Sequence, residues 1–241
     1  MKTSKIHLGN CIDILNNLEN ESIDLIVSDP PYGISYLSNK QQSSMRTGIT
    51  IQNRDENYFT KIQNDEELPT EYLSIIYNKL KNNSAIYLFC HWRNFGKLQV
   101  AVEKVGFTVK NMIVMNKSNH GMGDIKGSYA PKHELVLFAS KGRHILNNIN
   151  GRINDVLDVK VLFSGSKRMH PNEKPIGWIK PFILNSSKEN DIILDMFMGS
   201  GSTGVACVET NRKFIGIEID NNFFNIAKNR LESVKGKLNE N

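Results

Sequence analysis

The chain has 241 residues, of which 39% are hydrophobic, so it is long enough to bury one substantial core. Its 30 basic and 25 acidic side chains leave a formal net charge of +5, which favours a polyanionic partner but is also ordinary for a soluble protein. No apolar run approaches the roughly 18 to 20 residues that span a bilayer, and Met1 to Asn10 lacks the apolar region of a signal peptide, so we expect a cytoplasmic protein with no membrane partner.

Helix and strand patterns alternate along the chain, which predicts an α/β fold with a Rossmann-like, mostly parallel sheet and helices on both faces. Residues 35–64 are polar and lack a period, which predicts a mobile loop, and residues 141–168 also show no clear period. The other predicted elements, in chain order, are a helix at 11–19, a strand at 23–27, a helix at 69–80, a strand at 85–89, a helix at 93–105, strands at 107–115 and 134–139, a helix at 175–187, a strand at 191–194, a helix at 202–210, a strand at 214–219 and a helix at 222–234.

The cysteines are three in number and scattered, at Cys11, Cys90 and Cys207. An odd, unclustered set argues against a disulfide framework and fits a reducing compartment. Neither a CxxC pair nor a His/Cys cluster is present, so we predict no metal site.

A glycine-rich turn, GSGSTG at residues 199–204, joins a predicted strand to a predicted helix. Glycines let the backbone turn sharply and let a ligand lie against bare amide groups. Glu218 follows near the end of the next strand, where an acid can accept hydrogen bonds from both ribose hydroxyls of a nucleotide. The combination predicts a nucleotide site, but the GxGxxG pattern leaves open a nicotinamide or flavin oxidoreductase.

A second motif, Asp29-Pro30-Pro31-Tyr32, stands at the carboxyl end of the predicted strand 23–27, where open α/β sheets place their chemistry. The exocyclic amino group of a nucleobase is a poor nucleophile until its N–H bonds are held. The Asp29 carboxylate and the carbonyl of Pro30, which the prolines orient, can accept those two hydrogen bonds. Tyr32 offers a ring on which a flipped-out base can stack, worth about 1–3 kcal/mol.

These motifs resemble a known family, the amino-group DNA methyltransferases. Asp29-Pro30-Pro31-Tyr32 looks like its catalytic motif, and residues 195–201 resemble its cofactor motif, usually Asp-Pro-Phe-x-Gly-x-Gly. The catalytic motif comes first, as in the permuted β group, and residues 170–175 and the strand that begins at His133-Glu134 resemble two further segments of that group. The resemblance implies a single catalytic domain over residues 1–241, with a class I methyltransferase fold and an antiparallel strand at one end of its sheet.

The resemblance also implies that the cofactor is S-adenosylmethionine. Two departures concern this site: Met196 replaces the usual proline, and Asn10 stands where an aspartate often holds the adenine, so that contact would be uncharged. Lys174 would meet the methionine carboxylate, or else it is one more lysine of a DNA-facing segment. The implied cofactor residues are Asn10, Asp195, Phe197, Gly199, Ser200, Gly201, Ser202, Thr203, Glu218 and Lys174.

The reaction expected from the resemblance is direct methyl transfer to the amino group of a flipped-out base. Carbon-5 cytosine methylation would need a cysteine nucleophile, typically after a proline, and none of the three cysteines follows one. Asp29 favours adenine, since serine is commoner at that position in cytosine-N4 enzymes. Cytosine-N4 remains open, as do an RNA or protein-glutamine target and a non-catalytic DNA-binding subunit.

Basic charge is concentrated in residues 141–180, where eight basic and three acidic side chains give an excess as large as that of the whole chain. In the β group this region carries the target-recognition element. Here it spans only 141–168, so we expect a short recognition site in double-stranded DNA or help from a second subunit in a homodimer. A cognate restriction endonuclease is a further expected partner. The candidate DNA contacts are Arg46, Lys126, Arg143, Arg152, Lys167 and Arg168.

Overall fold

The computed structural model describes residues 4–33, 67–120, 126–148, 151–160 and 174–239, and the predicted loop 35–64 lies outside them. These residues form eight strands and six helices. The strands are β1 (Lys5–Leu8), β2 (Ile23–Ser28), β3 (Leu80–Cys90), β4 (Thr108–Lys117), β5 (His133–Lys141), β6 (Val156–Val159), β7 (Ile192–Asp195) and β8 (Lys213–Glu218). The helices are α1 (Cys11–Asn16), α2 (Tyr72–Lys79), α3 (Phe95–Val105), α4 (Ile176–Ser186), α5 (Ser202–Glu209) and α6 (Asn221–Asn239).

All eight described strands join one sheet in the order β1-β8-β7-β2-β3-β5-β4-β6. Every neighbouring pair is parallel except the two pairs that β5 makes, with β3 and with β4. The predicted mostly parallel sheet is therefore confirmed. The antiparallel strand belongs to the β6 end of the sheet and has two further strands outside it.

The sheet is covered by helices on both faces, as predicted. Alternate residues of β3 point to opposite faces, so that Tyr87 packs in one buried cluster and Ile86 in the other. The first cluster contains the apolar residues of α4, α5 and α6, and the second contains those of α1, α2 and α3. No helix among the described residues has the length and apolar character needed to cross a membrane.

The sequence pattern missed two strands, and both are the outermost strands of the described sheet. β1 and β6 have four residues each and no fully buried side chain, so neither carries the apolar run that identifies an internal strand. Other boundaries moved by a few residues. The helix predicted from Pro69 begins at Tyr72, and α4 tolerates Pro181 in its interior.

The sheet brings the two sequence motifs together. β2 lies beside β7, and both run in the same direction, with Ile26 opposite Leu194. Asp29 follows the last residue of β2, and the glycine turn follows the last residue of β7, Asp195. Because the carboxyl ends of parallel strands meet at one edge, the motifs are neighbours in space although more than 160 residues separate them. We call this edge the catalytic edge.

Candidate active site

The Asp29 carboxylate is held at both of its oxygens. The Tyr32 hydroxyl donates a hydrogen bond of 2.5 Å to Oδ1, and the Lys174 ammonium donates one of 2.6 Å to Oδ2. Burial, followed by the nearby Asp29 charge, raises the pKa of the Tyr32 phenol well above 10, so Tyr32 acts as a donor. The carboxylate is therefore held in a fixed orientation by two donors.

Lys174 connects the catalytic motif with a second carboxylate, that of Glu134. Its Nζ lies 3.3 Å from Glu134 Oε2 and 3.1 Å from the Tyr32 hydroxyl, and it also sits over the Phe89 ring. Burial alone would lower the pKa of Lys174, but attraction by Asp29 and Glu134 raises it well above 10.5. Lys174 is thus a partly buried cation shared by two carboxylates.

Glu134 reaches this site because β5 is antiparallel. Its strand starts at the catalytic edge, so the second residue of β5 lies level with the ends of β2 and β3. Burial would raise the pKa of Glu134, but Lys174 and Lys117 together lower it below 4.5, which keeps the group ionised. The sequence marked His133-Glu134 only as a family-like strand, because strand direction cannot be read from a single apolar run.

The turn after β3 also contacts the catalytic motif. The Asn94 side-chain amide donates a hydrogen bond of 2.6 Å to the Tyr32 carbonyl, and the His91 ring lies 6.5 Å from the Tyr32 ring. Asn94 is 7% exposed, so this hydrogen bond is well protected. Sequence reasoning gave neither residue a role, since a strand-ending turn of this kind has no recognisable signature.

The glycine turn is hydrogen-bonded to the Glu218 side chain. Gly199 and Gly201 both have positive φ, at 50° and 82°, a conformation that favours glycine. The amides of Gly199 and Asp220 donate hydrogen bonds of 2.9 and 2.8 Å to the two oxygens of Glu218. A Cβ at Gly199 would meet nothing within 4 Å, so open space adjoins the bare backbone beside Glu218. These features fit the nucleotide end of a cofactor.

Asp195 links the two motifs directly. It is 3% exposed and accepts hydrogen bonds from the Ser28 hydroxyl at 2.6 Å and from the Phe197 amide at 3.1 Å. Burial raises the pKa of Asp195 from 3.8 to about 6, although hydrogen bonds from Ser28 and Thr203 oppose the rise. Ser28 immediately precedes Asp29, so the hydrogen bond fastens Asp195, which precedes the glycine turn, to the strand that leads to Asp29.

With this geometry in place, a comparison with protein families identifies the chain. A family model described as DNA methylase matches residues 23–229, a range that includes both motifs. The chain belongs to the DNA methylase family. The protein is therefore a DNA methyltransferase, and the catalytic edge holds its candidate active site.

Similar proteins agree with this assignment. The Type II methyltransferase M2.LlaDCHI of Lactococcus lactis subsp. cremoris is 33% identical over 234 residues, which cover 90% of this chain and 85% of that protein. The protein in the crystal structure of the M1.HpyAVI–SAM complex is 27% identical in sequence to this methyltransferase. The two structures have a TM-score of 0.70, and the match covers 95% of this chain and 100% of that chain. The PvuII DNA methyltransferase (cytosine-N4-specific) shares the fold, with a TM-score of 0.73 at 16% identity over 98% of this chain and 91% of that one.

Several residues that we predicted as cofactor contacts already have partners within the methyltransferase. The Asn10 oxygen accepts a hydrogen bond of 2.8 Å from the Ile12 amide and so caps α1, although the neighbouring Gly9 is tied to the backbone of Glu218. Arg230 on α6, which sequence reasoning missed, lies 3.2 Å from the Ser202 hydroxyl and contacts Ser200. These serines hold the turn in shape, and their contact with a cofactor stays a prediction.

Lys174 has its observed contacts with the catalytic motif. We expected it to meet the methionine carboxylate of the cofactor or to be one more lysine of a DNA-facing segment. The structure places it on Asp29, Tyr32 and Glu134, and both predicted roles stay predictions.

The predicted DNA contacts lie in different parts of the protein. Lys126 lies in the connection between β4 and β5, which belongs to the catalytic edge. Arg143 follows the antiparallel β5 and lines a cavity with Asp24 and Asp191, at the amino ends of β2 and β7, so the structure does not bring it to the catalytic edge. Arg152 is exposed and precedes the outermost strand, β6. Arg46, Lys167 and Arg168 lie outside the described residues.

Proposed function

We propose that this methyltransferase transfers a methyl group from S-adenosylmethionine to the exocyclic amino group of adenine in double-stranded DNA. The observation that carries the proposal is a single carboxylate, that of Asp29, oriented at the end of β2 beside the glycine turn that follows β7. In this arrangement an acceptor for an amine and a cradle for a nucleotide would lie side by side at the catalytic edge.

S-adenosylmethionine supplies an electrophilic methyl group on its sulfonium. The chain's own residues act on the base. Tyr32 donates a hydrogen bond to one Asp29 oxygen and Lys174 donates one to the other. A flipped-out base would bring its own N–H donor to Asp29 Oδ1, and the Tyr32 ring would then be free to stack on the base. After transfer, the surplus proton on the methylated nitrogen can pass to the Asp29 carboxylate.

The preference for adenine rests on Asp29 and not on the fold. The chain shares its fold with an enzyme named as cytosine-N4-specific, with a TM-score of 0.73, so the architecture alone does not select adenine. By the family resemblance, aspartate at the first position of the motif favours adenine, whereas serine is commoner for cytosine. Cytosine-N4 methylation is the second candidate.

DNA is the substrate partner of this family, and the catalytic edge carries cations suited to a phosphate backbone. Lys126 and Lys132 lie in the β4–β5 connection, and Lys160 follows β6 at the same edge. Relatives that are named Type II methyltransferases suggest a restriction–modification setting. This similarity motivates a cognate endonuclease as part of the proposal, and the resemblance to the β group motivates a homodimer.

The test is the base that the protein modifies. Purified wild-type protein is incubated with unmethylated bacterial DNA and S-adenosylmethionine, and the DNA is digested to nucleosides for mass spectrometry. We expect N6-methyladenine, and loss of at least about a hundredfold in rate for Asp29→Ala, while the control Asp13→Ala, an exposed change on α1, keeps wild-type activity.

Each other outcome has a distinct meaning. N4-methylcytosine in place of N6-methyladenine would overturn the base assignment but keep the reaction. Wild-type activity in Asp29→Ala would overturn the mechanism. Binding of NAD in preference to S-adenosylmethionine would favour the oxidoreductase that the glycine turn alone left open.

A further inference from the structure

An exposed tryptophan lies at the catalytic edge, directly after β3. Trp92 is 57% exposed, whereas Trp178, the second of the two tryptophans, is 4% exposed. A single exposed apolar side chain is common on protein surfaces and needs no explanation by itself. Trp92 differs because of where it is and how firmly its turn is held.

The turn that carries Trp92 is fastened to the catalytic motif. Asn94 donates hydrogen bonds to the carbonyls of Tyr32 and Gly33, and the centroid of the His91 ring lies 6.5 Å from that of Tyr32 and 5.6 Å from that of Trp92. The Trp92 ring is therefore at most about 12 Å from the Tyr32 ring, a distance no greater than the ~12 Å width of the DNA major groove. One duplex can reach both rings.

A cation accompanies the indole. The Arg93 guanidinium lies 5.4 Å from the Trp92 ring centroid, in the geometry of a cation–π contact. An aromatic ring with an arginine beside it is a combination suited to a base face and its adjacent phosphate. Tryptophan and arginine are also common at protein–protein interfaces, so it is the position of the pair beside the Tyr32 turn that favours DNA as the partner.

We propose that Trp92 stacks on a base that remains in the duplex at the opened base pair, and that Arg93 contacts the neighbouring phosphate. Extruding the target base exposes the faces of its neighbours and unpairs its partner, and a flat apolar ring can cover one of those faces. Stacking of one base on an aromatic ring is worth about 1–3 kcal/mol. The inference rests on the proposed function, since it assumes that a base leaves the helix to reach Asp29.

The two tryptophans allow a direct spectroscopic test. Trp178→Phe leaves Trp92 as the only indole, and Trp92→Phe leaves the buried Trp178 as a matched control. Acrylamide quenching of fluorescence is measured with and without unmethylated double-stranded bacterial DNA. We expect DNA to shield Trp92 strongly and to leave Trp178 unchanged. Trp92 that stays accessible in the DNA complex would overturn the proposal, as would shielding that follows protein concentration without DNA.

Activity gives a second test that does not depend on replacing the buried Trp178. Trp92→Ala is expected to lower kcat/KM for DNA by about 5- to 150-fold, which is about 1–3 kcal/mol at tenfold per 1.4 kcal/mol. Trp92→Phe should restore most of the loss, and the KM for S-adenosylmethionine should not change. Val100→Ala, at a 65% exposed position on α3, is the control.

The two hypotheses fail in different ways. A wild-type protein that methylates no DNA contradicts the proposed function, and the fluorescence measurement still decides whether Trp92 meets DNA. An active wild-type protein together with an equally active Trp92→Ala contradicts the stacking role alone.

Discussion

Asp195 makes the stability of this protein depend on pH in a direction that can be worked out from its burial. Burial raises the pKa of Asp195 from 3.8 to about 6 in the folded chain. The folded state therefore binds this proton more tightly than the unfolded state does. The stability that Asp195 contributes is fully present below about pH 4 and is lost as the pH rises through about 6. At about 1.36 kcal/mol per pKa unit, the loss amounts to about 3 kcal/mol.

The perturbation that isolates this effect is Asp195→Asn, which keeps an oxygen acceptor for Ser28 and removes the titration. Urea unfolding followed by circular dichroism is carried out at steps between pH 4 and pH 8. The quantity of interest is the free energy of unfolding of the wild type minus that of the variant, because Glu134 and the other titrating groups cancel in the difference. We expect this difference to fall by about 2 kcal/mol between pH 4 and pH 7, since part of the loss of about 3 kcal/mol occurs below pH 4.

The control is Asp13→Asn, an exposed carboxylate on α1, for which the difference should change little over the same range. A difference for Asp195→Asn that is flat, or that rises with pH, would refute the reasoning. It would mean that hydrogen bonds from Ser28 and Thr203 outweigh burial and that Asp195 ionises as easily as it does in an unfolded chain.

Two further predictions concern the glycine turn and the shared lysine. Gly204→Ala should lower the free energy of unfolding, measured in urea, by about 1–3 kcal/mol, because the added Cβ would lie 2.7 Å from the Phe214 ring. An unchanged midpoint of urea unfolding would contradict this packing. Lys174→Met should lower kcat about tenfold or more while leaving the KM for S-adenosylmethionine unchanged, because it leaves the carboxylates of Asp29 and Glu134 facing each other without their cation. A raised KM with unchanged kcat would instead support the cofactor role first predicted for Lys174, and Lys180→Met, which breaks a surface ion pair with Glu209, is the control.

The sequence predicted those parts of the fold and site that follow from local pattern. The β2 strand and the two motifs were visible because a dense apolar run, a proline pair and spaced glycines each restrict the backbone locally. β1 and β6 were not predicted because edge strands bury few apolar side chains. The ion pair of Lys174 with Asp29 joins residues 145 positions apart, and the direction of β5 decides that Glu134 completes it. No spacing rule within the chain contains that information.

The same distinction explains why the permuted order of the motifs leaves the site intact. The catalytic and cofactor motifs meet because β2 and β7 are adjacent parallel strands, and the Ser28–Asp195 hydrogen bond joins them at the point where the strands end. Two strands can be neighbours in the sheet whichever of them comes first in the sequence. The separation of Asp29 from the glycine turn is therefore set by the pairing of β2 with β7. A methyl transfer between two bound groups requires such a fixed separation.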